Sequence, residues 1–255
     1  MFVTAIYSIK GGVGKTAAAV NLSALASYEG KKTLLIDFDP QASSSFYLKV
    51  KPKMKTTVKK LLKGKSPVEN QIKATDYIHL DILPATHAFR EMEPLLSRLN
   101  RPGERIREML EPLRSSYHWV FIDCPPGMTR LAEAIFNASD LVLVPVVPTT
   151  LSVRTFSDFS KFIKENPLKP ECRYLGFFSM VDRRKSLQRE ILNEWDYEKE
   201  RFCKSSIPYL SDVEKMGIYR KPVVGFRPSS DAALAFSRLW AEIKKTAVEM
   251  NSLSV

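Results

Sequence analysis

Seven residues near the amino end, Lys10-Gly11-Gly12-Val13-Gly14-Lys15-Thr16, carry the strongest chemical signal in the sequence. Glycines at that density let the backbone approach a ligand closely. Successive backbone N–H groups running into a helix N-terminus then make a cradle for phosphate. Lys15 is expected to neutralise β- and γ-phosphate oxygens, the Thr16 hydroxyl to complete a Mg²⁺ shell, and Gly11, Gly12, Val13, Gly14 and Ala17 to offer backbone N–H groups. The general G-x-x-x-x-G-K-[ST] spacing is not met literally, because residue 9 is Ile and the glycines are shifted into KGGVGKT. A chance glycine-rich turn is the bland alternative, and the placement between an apolar run and a helical one argues against it. Three carboxylates end apolar runs: Asp37 and Asp39 in LLIDFD, and Asp123 in VFID.

Those residues need a scaffold that brings strand ends together. Phe2 to Ser8 reads as a buried strand, Gly11 to Gly14 as a tight loop and Thr16 to Tyr28 as a helix with Ala18, Leu22, Leu25 and Ala26 on one face. Gly30 stops it, and Lys32 to Phe38 is the next strand. This is a βαβ unit, and near-continuous apolar strands imply a parallel sheet covered on both faces. Further strands are expected at Tyr77–Leu83, Trp119–Asp123, Leu141–Pro145 and Tyr174–Val181. Helices are expected at Arg101–Leu113, Ala132–Ala138, Val153–Lys164, Ser186–Phe202 and Ala232–Met250. The expectation is an α/β chain of one domain over residues 1–255, a mostly parallel twisted sheet flanked by helices on both faces, with its carboxylates at C-terminal strand ends where open α/β sheets bind ligands.

Lys10 departs from the generic phosphate loop, and with it the sequence resembles the ParA/MinD family of deviant Walker A ATPases. The resemblance implies that Lys10 crosses a dimer interface to phosphates held by the partner, where a second cation stabilises transition-state charge. ATP binding would then favour a homodimeric sandwich. Leu35-Ile-Asp37-Phe-Asp39-Pro40-Gln41 resembles the family's DxDPQ segment, which implies that Asp39 orients or activates the attacking water and lies near the metal. Asp37, deeper in the strand, would support the Mg²⁺ shell or the loop. Val120-Phe-Ile-Asp123-Cys-Pro-Pro126 resembles the Walker B strand, with Asp123 near Mg²⁺. An apolar strand ending in Asp is common, so Asp123 gains its weight from standing with Lys10, Lys15, Thr16 and Asp39. By the same analogy Met180 and Pro208 pack the adenine, though core packing explains either almost as well. Ala17 stands where many relatives carry a second Thr, which removes a hydroxyl contact and keeps the backbone N–H.

Composition narrows what such an ATPase would hold. Hydrophobic content is 44% and no apolar run reaches the length of a membrane span. The amino end enters a strand at once, leaving no room for a signal peptide, and Cys124, Cys172 and Cys203 form no CxxC pair, so a reducing, cytoplasmic setting is expected. Lys plus Arg is 39 against 28 acids, a net charge of +11, and such a surplus favours polyanions. ParA-like members bind DNA non-specifically through dispersed basic residues, and the candidates are Arg183, Arg184, Lys185, Arg189, Lys199, Arg201, Lys204, Lys215, Arg220 and Lys221. Solvated helix charge explains each of these singly. Residues 49–65 hold eight lysines, a separate candidate for DNA or for an acidic partner. No helix-turn-helix precedes the phosphate loop. The resemblance implies a nucleoid-associated ATPase that positions a cargo and is stimulated by a centromere-binding or adaptor protein. Two other readings stay open: a MinD-like membrane-associated regulator, against which Glu242 and Glu249 interrupt the basic face of the last helix, and an ATP-dependent metabolic synthetase.

Overall fold

The computed structural model describes residues 1–51, 55–165 and 172–252. The elements run β1 (Phe2–Ile6), α1 (Lys15–Tyr28), β2 (Thr33–Asp37), α2 (Ser43–Tyr47), α3 (Val58–Leu62), β3 (Lys73–Ala74), β4 (Leu80–Leu83), α4 (Met92–Leu96), α5 (Arg105–Leu110), β5 (Trp119–Asp123), α6 (Arg130–Ala138) and β6 (Leu141–Val146). There follow α7 (Thr150–Glu165), β7 (Arg173–Phe178), α8 (Ser186–Glu194), the short helices α9 (Ser211–Glu214), α10 (Met216–Tyr219) and α11 (Val223–Phe226), and α12 (Asp231–Ser252). Seven strands form one sheet in the order β3-β4-β2-β5-β1-β6-β7. All neighbours are parallel except β3, which runs antiparallel to β4.

The apolar strands are buried on both faces, as a parallel sheet covered by crossover helices requires. One core joins Ala5, Ile36 and Ile122 to α3 through α7, and the other joins Ile6, Leu35 and Phe121 to α1, α11 and α12. Helix α1 packs on the sheet and against α12, so even Asn21, Ser23 and Ser27 are buried. The Asn21 amide donates to the Ala17 carbonyl, and its oxygen accepts from the Val224 N–H. Buried polar groups need such partners.

Three expectations change. The helix expected over Ser186–Phe202 ends at Glu194. Beyond it Trp195 and Phe202 turn in to pack edge-on or tilted against Phe178 at 5.3 and 4.8 Å, and aromatic burial outweighs helix continuation. The strand expected from Tyr77 begins only at Leu80, because Thr75 caps the preceding turn through hydrogen bonds to Tyr77 and Leu80 and His79 is left-handed with φ 65°. In α12 the sequence lines Trp240, Ile243 and Val248 along one apolar stripe; Trp240 and Ile243 are buried as a core helix demands, whereas Val248 is 68% exposed.

Candidate functional site

The loop after β1 holds its shape through backbone that only glycine adopts readily: φ is +71° at Gly12 and +92° at Gly14. A Cβ on Gly14 would meet Ser179 Oγ at 2.8 Å, so the loop also packs too closely for any side chain there. Gly11, Gly12, Gly14, Lys15, Thr16 and Ala17 line one side of an open cleft of about 500 Å³. Val13 faces away, into a small pocket beside Tyr7 and Phe156, and can serve a ligand only by its backbone. Lys15 is 7% exposed, and its amine donates to the Lys10 carbonyl at 3.2 Å. The Lys10 amine points elsewhere, 3.5 Å from Ser152 Oγ at the start of α7.

Asp37 and Asp123 lie opposite one another in the β2–β5 register, both fully buried. Burial is the main force raising both carboxyls, Asp37 to about 8 and Asp123 to about 6. At Asp37 the Asp123 charge adds to the rise. At Asp123 the hydroxyls of Ser44 and Thr16 and the Lys15 charge oppose it. Ser44 Oγ donates to Asp123 at 2.8 Å, and Ser45 gives both its N–H and its hydroxyl to Asp37 at 2.8 Å. Each carboxylate keeps one oxygen, Oδ1, buried without a partner. A buried, half-satisfied carboxylate beside a lysine and a threonine hydroxyl is what a divalent cation would complete. Asp37 ties the start of α2 to the end of β2. Asp39 sits on the cleft rim, its Oδ1 accepting from the Gln41 N–H at 2.9 Å.

Ser44 and Ser45 are functional side chains that sequence reasoning missed. The available signal was three serines one residue after Asp39-Pro40-Gln41, but a five-residue helix has no periodicity to mark which hydroxyl turns inward. At the far end of the cleft lie Met180 and Pro208, together with Phe177, Ile207, Tyr209 and Val213. Met180 has φ 56°, an uncommon conformation for a non-glycine residue, and Val181 and Pro208 form a parallel bridge, so both expected base-contacting residues frame the same opening. The cleft is thus polar and cationic at one end and apolar at the other, a shape that suits a nucleoside triphosphate.

Comparison with known proteins decides the family. A family described as AAA domain matches residues 1–170. Sporulation initiation inhibitor protein Soj of Bacillus subtilis is 30% identical over 94% of this chain and 97% of its own. Chromosome partitioning protein ParA of Caulobacter vibrioides is also 30% identical, over 94% of this chain and 93% of that protein. This chain belongs to the ParA/MinD family. Among solved structures, cobyrinic acid a,c-diamide synthase from Mycobacterium smegmatis with bound ATP analog and magnesium superposes with a TM-score of 0.79 at 25% identity, covering 95% of this chain and 93% of that one. A plasmid partition protein from Borrelia burgdorferi gives 0.75 at 22% identity over 96% of this chain and 98% of its own, a likeness of fold. The protein is a ParA-like P-loop ATPase with ATP and Mg²⁺ as its ligands.

The ten basic residues singled out from the sequence divide between the β7 edge of this ParA-like sheet and the neighbourhood of α2 and α10. Arg183, Arg184, Lys185 and Arg189 follow β7, and Lys199, Arg201 and Lys204 lie beside it, where the Gly176 N–H donates to the Arg201 carbonyl. Several are engaged there. Arg184 grips Asp182 at 2.9 Å, Arg189 donates to the Arg183 and Arg184 carbonyls, and Arg201 lies 5.1 Å over the Tyr174 ring. Lys204 stands 3.9 Å from Glu198. Arg220 belongs to the opposite half, its Nε donating to the Phe46 carbonyl at 3.0 Å and its guanidinium 4.5 Å over the Phe46 ring. Lys215, 3.7 Å from Asp212, and Lys221 accompany it. Of the lysine-rich segment, Lys53 lies outside the described residues.

Proposed function

We propose that the protein works as an ATP-closed homodimer that associates with DNA and hydrolyses ATP to position a cargo, with residues 1–255 acting as one ATPase domain. The observation that carries this reading is the direction of Lys10. Its backbone carbonyl holds the Lys15 amine inside the cradle, while its own amine leaves the cradle for Ser152. A cation so placed does not serve its own phosphates and is available to those of a second chain. Placing it there is favourable only when a triphosphate is present to receive it, so ATP binding and dimer formation are linked.

Within one site, Lys15 and the loop N–H groups bind the β- and γ-phosphates, and Thr16 and Asp123 are placed to hold Mg²⁺, with Asp39 close by. The ion, when bound, neutralises charge developing on the transferring phosphoryl group. Ser44 and Thr16 orient the Asp123 carboxylate, as hydroxyl donors around metal ligands do. Asp39 on the rim receives and orients the attacking water. Met180 and Pro208 pack the base. Hydrolysis is phosphoryl transfer to water by positioning and electrostatics, slow in isolation and stimulated by a centromere-binding or adaptor protein.

The chromosome-partitioning name of the Caulobacter relative and the +11 charge support DNA as the surface on which the dimer acts, and so a nucleoid-associated location. Association through phosphates is sequence-independent and falls steeply with salt. A membrane-anchoring role for α12 draws no support from its packing, since Phe236, Leu239, Trp240 and Ile243 are buried against the sheet. Among the described residues no helix is long and apolar enough to cross a bilayer. The test is mass by light scattering. The Asp39→Ala variant with ATP and Mg²⁺ should have twice the 29.0 kDa chain mass and should retain duplex DNA, and with ADP it should do neither. A monomer in both states contradicts the proposal.

A further inference from the structure

Residues 49–65 contain eight lysines, no arginine and no carboxylate. The segment's described residues are tied to the chain at and just before β3. Val58, Leu61 and Leu62 anchor α3 to the core through their buried side chains. Lys55 N–H donates to Gln71 Oε1 at 2.8 Å, and Lys73 Nζ donates to the Lys51 carbonyl at 3.0 Å, which pins the two flanks. Lys51, Lys55, Lys59, Lys60, Lys63 and Lys65 are all exposed. Among the described residues none of these six has a carboxylate within ion-pair distance; Lys49, next to them, has Asp76 at 3.7 Å. A folded, anchored surface therefore carries six uncompensated cations. Keeping like charges this close raises the free energy of the free protein and is relieved by a polyanion.

Three features select the class of partner. No large apolar side chain is exposed among the described residues from 51 to 65, whereas protein interfaces centre on aromatic or aliphatic anchors and membrane-lying helices need an apolar face. The cations are all lysines, point charges suited to phosphates in any register rather than to bidentate recognition of a fixed group. Finally, the belt is continuous with Arg220, whose guanidinium rests on Phe46 while the Lys49 N–H donates to that residue's carbonyl. We propose that this lysine belt is a second duplex-DNA contact surface, which extends the Arg220 cluster around the β3 edge. From the Arg183–Arg189 group it is separated by the width of the sheet, six inter-strand gaps or about 29 Å. The inference rests on the ATP-dependent DNA association proposed above.

The test compares two variants that lose the same charge: Lys55, Lys59, Lys60 and Lys63 to Gln, and a control with Lys31, Lys161, Lys164 and Lys245 to Gln. Binding of the ATP-bound protein to a duplex of random sequence is measured across a salt series. The belt variant should bind on the order of tenfold more weakly at moderate salt, and its slope of log affinity on log salt should fall by roughly 0.9 for each phosphate contact removed. The control should stay close to the unaltered protein, and Lys→Arg at the four belt positions should restore binding. Thermal unfolding of the belt variant at the unaltered midpoint checks that it folds; if it does not fold, the charge-reduced pair Lys59→Gln and Lys63→Gln carries the same comparison. Equal weakening by both variants, or none by the belt variant while the unaltered protein binds with ATP, overturns the inference alone. So does loss of poly-glutamate binding with DNA binding intact. Failure of the unaltered protein to bind duplex with ATP overturns the underlying reading as well.

Discussion

The nucleotide cleft and the basic edges use the same residue types under opposite physical conditions. In and beneath the cleft, Lys15, Asp37 and Asp123 are buried, and each is fixed by at least one hydrogen bond with a named neighbour. On the edges, Arg183, Lys185, Lys59 and Lys63 stand in solvent on flexible stems. A charge in the cleft acts through position, and removing it leaves its partners desolvated and unpaired. A charge on an edge acts as one contribution to a summed field, with many near-equivalents around it. The first region should therefore answer substitution with losses of function, the second with graded shifts in affinity.

Ordered by expected size, the substitutions that probe this contrast begin with Lys15→Ala. ATP affinity should fall on the order of 10³-fold, because a buried cation facing the phosphates is lost; titration calorimetry returning ordinary affinity would remove the phosphate-loop assignment. Asp39→Ala should slow single-turnover hydrolysis by roughly 10²- to 10³-fold and leave nucleotide affinity nearly intact. A parallel loss of binding would instead make Asp39 part of the ground-state site. Ser44→Ala should weaken Mg²⁺ dependence by about 10- to 100-fold, the usual cost of losing a hydrogen bond that orients a metal-holding carboxylate. Ser44→Thr, which retains the hydroxyl, should recover it, and a Mg²⁺ titration that does not move with Ser44→Ala would contradict the orienting role. Arg183→Ala or Lys185→Ala should weaken DNA binding only a few-fold and lower the salt slope by about 0.9 per contact. A single edge substitution that abolished binding would erase the distinction between the two regions.

What could be read from the sequence follows the same division. The phosphate loop is a local backbone structure, so seven consecutive residues specify it, and Asp37 and Asp123 were legible because apolar strands place their last residues at the same end of the sheet, with Asp39 two residues beyond. The parallel sheet, with helices on both faces, followed from continuous apolar runs. Three matters depended on contacts distant in sequence. Ser44 and Ser45 face the carboxylates only because α2 folds back over the ends of β2 and β5. The shortened α8 reflects Trp195 and Phe202 meeting Phe178, a contact no helical period announces. The basic residues formed one list in the sequence and separate into two groups in space, since Arg220 meets Phe46 across 174 positions of chain.

The central claim is that each site is completed by Lys10 of a second chain, and mixing variants tests it most directly. Lys10→Ala and Asp39→Ala should each hydrolyse ATP poorly alone. In a mixed dimer, one site combines the intact Asp39 of the first variant with the intact Lys10 of the second. The mixture should recover a measurable fraction of the unaltered rate, rising and falling with the mixing ratio. A mixture no more active than the two variants measured separately would contradict it.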